Sequence, residues 1–175
     1  SLSFLEHAKE YVESISKKLS LNKDSMVTEI ASNDGYLLKN FLNMQIPCLG
    51  IEPTKSTAQE SEKLGIETIQ EFFGEKLARK LLSDGYSSDL IIGNNVYAHV
   101  PDINDFTKGI QILLKKDGVV TLEFPHLLKL MQGSQFDTIY HEHFSYLSLF
   151  TVSRIFQENG LKVFDVDEIP THGGS

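Results

Sequence analysis

The feature that most constrains this chain is an alternation, kept up along its length, between short apolar runs and longer stretches with helical spacing. Leu5, Ala8, Val12, Ile15 and Leu19 fall at steps of three and four, one stripe of an amphipathic opening helix. Residues 26–30 then read as a short buried strand, closed by the turn-prone run Ala31, Ser32, Asn33, Asp34 and Gly35. Helical spacing returns over 36–43, a second strand covers 48–51, and a helix over 57–64 stops at Gly65. The pattern repeats with a weak strand at 66–69, a helix at 74–82, a strong strand at 89–92 and a helix at 102–114. A strand at 119–124, a helix at 151–159 and a last strand at 162–166 complete it. Strands alternating with helices are the signature of an α/β, doubly wound fold: a mostly parallel sheet with helices on both faces.

Composition narrows the function classes. At 175 residues with 41% hydrophobic and 23% charged residues, the chain suits one soluble globular domain. A net charge of −8 argues against a nucleic-acid backbone as the main partner, because that task needs a cationic surface. No run approaches the roughly 18 apolar residues of a membrane span, and the N-terminus lacks a signal peptide's apolar middle, so a cytoplasmic location is expected. The one cysteine, Cys48, can form no internal disulfide and sits in an apolar run, where a buried, inert thiol is expected. Both ends are abrupt, and the chain reads as a segment of a longer protein.

Two clusters carry chemistry. In open parallel sheets, ligands bind beyond the carboxyl ends of the strands where strand order reverses. The first strand delivers Glu29 and the run from Ala31 through Gly35 to that edge, and the second ends at Glu52, 23 residues after Glu29. Small residues let the backbone approach a ligand, and an acid at that second strand end can accept both ribose hydroxyls of an adenosine. A turn of this kind is common in any α/β protein, and an acid at a strand end is often merely solvated; their joint placement is what points to a cofactor. A nicotinamide dinucleotide is disfavoured, because its fingerprint wants glycines where Ala31 and Asn33 stand.

The second cluster is the run Tyr140, His141, Glu142, His143, Phe144, Ser145 and Tyr146, after the turn at His126. If extended, it would put His141 and His143 on one side and Glu142 on the other. A His-x-His pair with a carboxylate can bind zinc or iron. No further ligand is obvious in the sequence, however, and no metal is expected. Packed or surface histidines are the plain alternative.

The run from Glu29 to Gly35 resembles the first motif of class I S-adenosylmethionine-dependent methyltransferases, with Ala31 and Asn33 replacing two of its glycines and Gly35 retained. In this form, together with the segment 89–102, the run 140–146 and the ending Thr171, His172, Gly173, Gly174 and Ser175, it resembles the family that C-methylates nucleotide-linked 4-keto-deoxysugars at C3. The matches span nearly the whole chain in order. The resemblance implies S-adenosylmethionine as cofactor, S-adenosylhomocysteine as product and a nucleotide-sugar substrate. Glu29, Ala31, Asn33, Asp34 and Gly35 would line the methionine part of the cofactor and Glu52 its ribose. Glu71 and Phe72 would lie near the adenine, and Asn94 and Asn95 beside the sulfonium. His143 would be the general base, with Glu142, Tyr140 and His99 as its partners around the substrate. Residues 1–24 are then a helix packing on the domain, 25–169 the methyltransferase domain, and 170–175 the start of a link to a further domain. Full-length members of that family also carry a cysteine-rich zinc-binding domain and a second α/β domain, so cofactor binding is expected of this segment more firmly than turnover. The weaker readings are O- or N-methylation of a small metabolite, and a non-catalytic binding domain of the same fold.

Overall fold

The computed structural model describes residues 2–169 and 174–175. Five strands, β1 (Val27–Ile30), β2 (Cys48–Ile51), β3 (Glu67–Ile69), β4 (Ser88–Asn94) and β5 (Leu114–Glu123), form one sheet in the order β3-β2-β1-β4-β5. Every pairing is parallel. The chain steps outward from β1 to β3, returns across β1 to β4 and continues to β5. Strand order therefore reverses between β1 and β4, and the loops leaving those two strands flank a crevice.

The helices are α1 (Leu2–Lys18), α2 (Leu38–Asn43), α3 (Lys55–Lys63), α4 (Glu75–Ser83), α5 (Ile103–Leu113), α6 (Leu127–Gln132) and α7 (Leu149–Glu158). Their apolar stripes cover the sheet on both sides. Leu90, Ile91 and Ile92 are all fully buried but pack alternately, as side chains in a strand must. Leu90 and Ile92 join Val27, with Ala8, Val12 and Ile15 of α1 and Leu38 and Phe41 of α2. Ile91 joins Leu49 and Ile51, with Leu77 and Leu81 of α4, Ile110 of α5 and Val152 of α7. A buried branched side chain of this kind contributes about 1.5–3 kcal/mol. The doubly wound α/β architecture read from the alternation is the one observed. Among the described residues, no helix is long and apolar enough to cross a membrane.

Three local expectations differ. The strand expected at 162–166 does not form: Lys162, Val163, Phe164, Asp165 and Val166 carry no strand structure. Leu161 and Val163 pack on the core while Phe164 and Val166 stay exposed, so the alternation is satisfied by packing without a ladder of hydrogen bonds. β5 begins at Leu114, directly after α5, where a helix end had been read, and its pairing with β4 shifts register between Ser88 and Leu90. Helix α6 and a 3₁₀ turn, Phe136–Thr138, lie where no element was expected. Of the segment read as a link at 170–175, only Gly174 and Ser175 fall within the described residues.

Candidate active site

The loop after β1 is built from left-handed backbone. Ala31, Asn33 and Gly35 have φ of 58°, 55° and 79°. Asparagine tolerates this region, whereas alanine is held there at a cost of about 1–2 kcal/mol. The two positions that depart from the glycine motif thus keep a glycine-like backbone. Gly35 cannot be replaced so simply: a Cβ there would lie 2.6 Å from Ile66 Cδ1 and 2.8 Å from Ser61 Oγ.

Glu52, just beyond β2, ties this loop to its own. One carboxylate oxygen accepts the Asn33 N–H at 3.1 Å and the other accepts the Thr54 N–H at 2.8 Å. The side chain is buried, and each oxygen keeps a lone pair for a further donor. Glu29 is buried more completely. Burial, with the charges of Asp34 and Glu52 adding to it, holds its carboxyl well above the usual carboxylate range. Asp34 itself is exposed and caps the turn, accepting the Tyr36 N–H at 3.2 Å.

Asn94 and Asn95 lie at the end of β4. Asn95 has a φ of 55°, and its N–H donates to the Glu123 carbonyl at 2.8 Å. Three polar atoms around the crevice, Glu29 Oε2, Ser32 Oγ and Asn95 Oδ1, are buried without a hydrogen-bond partner among the described residues. Buried acceptors of this kind are costly unless a donor arrives. Loop 70–73 reaches the same edge, because the Glu52 N–H donates to the Ile69 carbonyl. Within that loop Glu71 pairs with Lys80 of α4 at 3.0 Å rather than with any cradle residue, and Phe72 is 85% exposed.

The histidine passage hangs from the strand end that bears the asparagines. The 3₁₀ turn Tyr97–His99 follows β4 after Asn95 and Val96, and the Ala98 carbonyl accepts both the Phe144 N–H at 2.9 Å and the Ser145 N–H at 3.2 Å. The passage is a turn, so the one-sided placement of His141 and His143 that an extended segment would give does not arise: the His143 N–H donates to the Tyr140 carbonyl at 3.1 Å. That turn folds Tyr140 back so that its hydroxyl donates to His143 Nε2 at 3.3 Å, with the rings 4.3 Å apart. His143 Nδ1–H donates to the Thr138 carbonyl at 2.7 Å. A carbonyl can only accept, so this bond places the ring proton on Nδ1 and leaves Nε2 as the acceptor of the Tyr140 hydroxyl. His99 is fixed the same way, its Nδ1–H donating to the Glu142 carbonyl at 2.9 Å, and its ring lies 4.7 Å from that of His143.

Tyr140, His143 and His99 therefore form one cluster, which Glu142 joins through its main chain. His141 and Glu142 are exposed at the turn. His126 has a structural part, capping α6 by accepting the Leu128 N–H. Among the described residues, no three histidine, cysteine or acidic side chains converge as a metal site. Cys48 is half-buried and its thiol is pushed up to about 11 by burial, which makes it a poor nucleophile.

Sequence reasoning passed over two neighbours of these clusters, Glu123 and the Thr138 carbonyl, and gave no role to Tyr146, whose ring stands edge-on to His143 at 6.0 Å. Glu123 had a usable signal. It ends β5, much as Glu29 stands one residue before the end of β1 and Glu52 just beyond the end of β2, and the same rule would have found it.

Residues 4–166 match the family model described as a methyltransferase domain. The chain is 34% identical over 173 residues to the C-methyltransferase NovU of Streptomyces niveus, covering 99% of this chain and 41% of that protein's length. Magnesium protoporphyrin IX methyltransferase (ChlM) from Synechocystis PCC 6803, solved with bound SAH, superposes with a TM-score of 0.70 at 11% identity, covering 98% of this chain and 78% of that one. The YcgJ protein of Bacillus subtilis superposes with a TM-score of 0.69 at 16% identity, covering 94% and 72%. With a family model spanning most of its residues and the fold to match, the chain belongs to the methyltransferase-domain family.

Proposed function

We propose that this chain binds S-adenosylmethionine in the β1–β4 crevice and serves C-methylation of a nucleotide-linked keto-deoxysugar. The observation that carries the proposal is the pair of hydrogen bonds from Phe144 and Ser145 to the Ala98 carbonyl, which hold the His143 turn beside the strand end bearing Asn94 and Asn95. The C-methyltransferase likeness, at 34% identity, supports the same chemistry.

The cradle fits such a cofactor. Glu29, Ala31, Asn33, Asp34 and Gly35 would hold the methionine part, where a cationic ammonium supplies the donors that Glu29 Oε2 lacks. Glu52 would accept the ribose hydroxyls with its remaining lone pairs, and Glu71 and Phe72 would lie toward the adenine. When bound, the cofactor supplies an electrophilic methyl group on a positively charged sulfur.

The chain's own residues supply the nucleophile. Carbon next to a ketone becomes nucleophilic only when its proton leaves, and His143 Nε2 is the lone pair set to take it. Removing that proton would leave the electron pair on the substrate's enolate, a carbon nucleophile for the methyl group that the cofactor would supply from its sulfonium. Tyr140, which donates to Nε2 in this structure, can turn its hydroxyl to the enolate oxygen where charge develops. His99 and Glu142 would brace the base: the bond from His99 Nδ1–H to the Glu142 carbonyl ties the turn that carries His143 to the segment after β4.

Calorimetry with S-adenosylmethionine and S-adenosylhomocysteine tests the cofactor half, and no binding at millimolar ligand would favour a non-catalytic domain. Wash-out of deuterium from the substrate carbon tests the other half. Methyl transfer without exchange would instead indicate O- or N-methylation.

A further inference from the structure

Asn95 raises a question of orientation that its own chemistry does not answer. An amide offers a carbonyl oxygen on one side and an NH2 on the other, and either could face the crevice. Glu123 decides between them. The two residues are joined first through the backbone, the Asn95 N–H donating to the Glu123 carbonyl at 2.8 Å. Register then sets the side chains together, since Asn94 pairs with Glu123 across β4 and β5. Asn95 Nδ2 lies 3.4 Å from Glu123 Oε1, a long contact whose direction is fixed by charge. A carboxylate accepts and never donates, so it draws the NH2 toward itself and turns the oxygen away. That oxygen, Asn95 Oδ1, is buried and has no partner among the described residues. Both residues border a cavity of about 840 Å³ that also meets Tyr36 and Phe124.

We propose that Glu123 is a positioning residue: by holding the Asn95 amide nitrogen it presents the carbonyl oxygen to the cofactor, and so favours the charged sulfonium of S-adenosylmethionine over the neutral thioether of S-adenosylhomocysteine. The proposal rests on the cofactor reading above. The negative end of the amide dipole attracts a sulfonium, whereas the NH2 end would repel it. A thioether carries no such charge and gains little from either end. The same device would ease product release, because the attraction disappears when the methyl group leaves.

The test is calorimetric titration of the chain with both ligands, in the wild type and in Glu123→Gln, Glu123→Asp and Asn95→Gly. Glutamine has nearly the same shape but can donate as well as accept, so it no longer dictates the orientation of the amide. Glu123→Gln is expected to weaken S-adenosylmethionine about tenfold and S-adenosylhomocysteine by less than about threefold. Glu123→Asp, still acceptor-only, restores most of the preference. In an Asn95→Gly background, chosen because glycine accepts the positive φ, Glu123→Gln should change the preference no further. Equal weakening of both ligands, no change in either, or an undiminished effect of Glu123→Gln beside Asn95→Gly would overturn the proposal while leaving the cofactor reading intact. A wild-type chain that binds neither ligand overturns both.

Discussion

The cradle at the ends of β1, β2 and β4 and the histidine passage at 126–147 lie at one edge of the sheet but are held there by different means. Glu29, Ser32 and Glu52 are buried, and their backbones continue from strands locked by parallel ladders. The passage has almost no core of its own: α6 and the turn Phe136–Thr138 contain no buried residue, and Phe136 and Phe144 are 76% and 59% exposed. It is tied down by a few bonds, to the Ala98 carbonyl and through the bridge between His126 and Leu147. The difference teaches that the cradle is preorganised by folding, whereas the histidine passage is arranged by hydrogen bonds over an exposed apolar surface. Substitutions in the passage should therefore damage chemistry and spare the fold, and substitutions in the cradle should do both.

The largest effect is expected at His143. His143→Ala should lower the rate of methyl transfer by about 10²–10⁴, with the cofactor Kd changed less than about twofold, as read by single-turnover kinetics beside calorimetry. A large loss of cofactor affinity would break the separation between the two regions. Next comes Glu52→Ala, which removes the proposed ribose acceptor and the bonds to the Asn33 and Thr54 N–H groups. S-adenosylmethionine should bind about 10- to 100-fold more weakly by calorimetry, and unchanged affinity would take Glu52 out of the ribose site.

Smaller effects concern the ligand-free cradle. Glu29 has a folded pKa raised above its ordinary 4.5, so the folded state holds a proton that the unfolded state releases. Stability should fall as pH rises from about 4.5 toward the folded value, because the unfolded chain binds fewer protons across that window. Glu29→Gln removes this dependence. Its Tm should exceed that of the wild type by about 2–4 °C at neutral pH, with the advantage vanishing below about pH 4.5 in thermal melts. The smallest effect is at Ala31, where φ is 58°. Ala31→Gly relieves about 1–2 kcal/mol of backbone strain and gives back about 0.5–1 through the freer unfolded chain, so Tm should rise by no more than about 2–4 °C.

Much of the cradle was legible in the sequence because its logic is local. A strand, a turn of small residues and an acid at the next strand end are read along the chain, and Glu29, Gly35 and Glu52 follow from that reading. The β5 boundary and the strand expected at 162–166 were misjudged for a related reason. Alternating apolar residues say that a segment packs, as Leu161 and Val163 do, and not that a partner strand is there to bond it. The turn at Tyr140–His143 was not legible, because nothing within its own residues reveals the Ala98 carbonyl, more than forty positions earlier, that receives Phe144 and Ser145.

The sequence by itself determined the layered α/β architecture, since hydrophobic period is a property of neighbouring residues and a parallel sheet follows from its alternation. It also determined which residue types stood at the first two strand ends. Only the tertiary structure decided which nitrogen of His143 carries the proton, that Glu142 contributes its main chain, and that Glu123 stands beside Asn95. Each of these depends on a hydrogen bond between groups brought together by folding, and the direction of such a bond is set by which partner arrives and not by the residue alone.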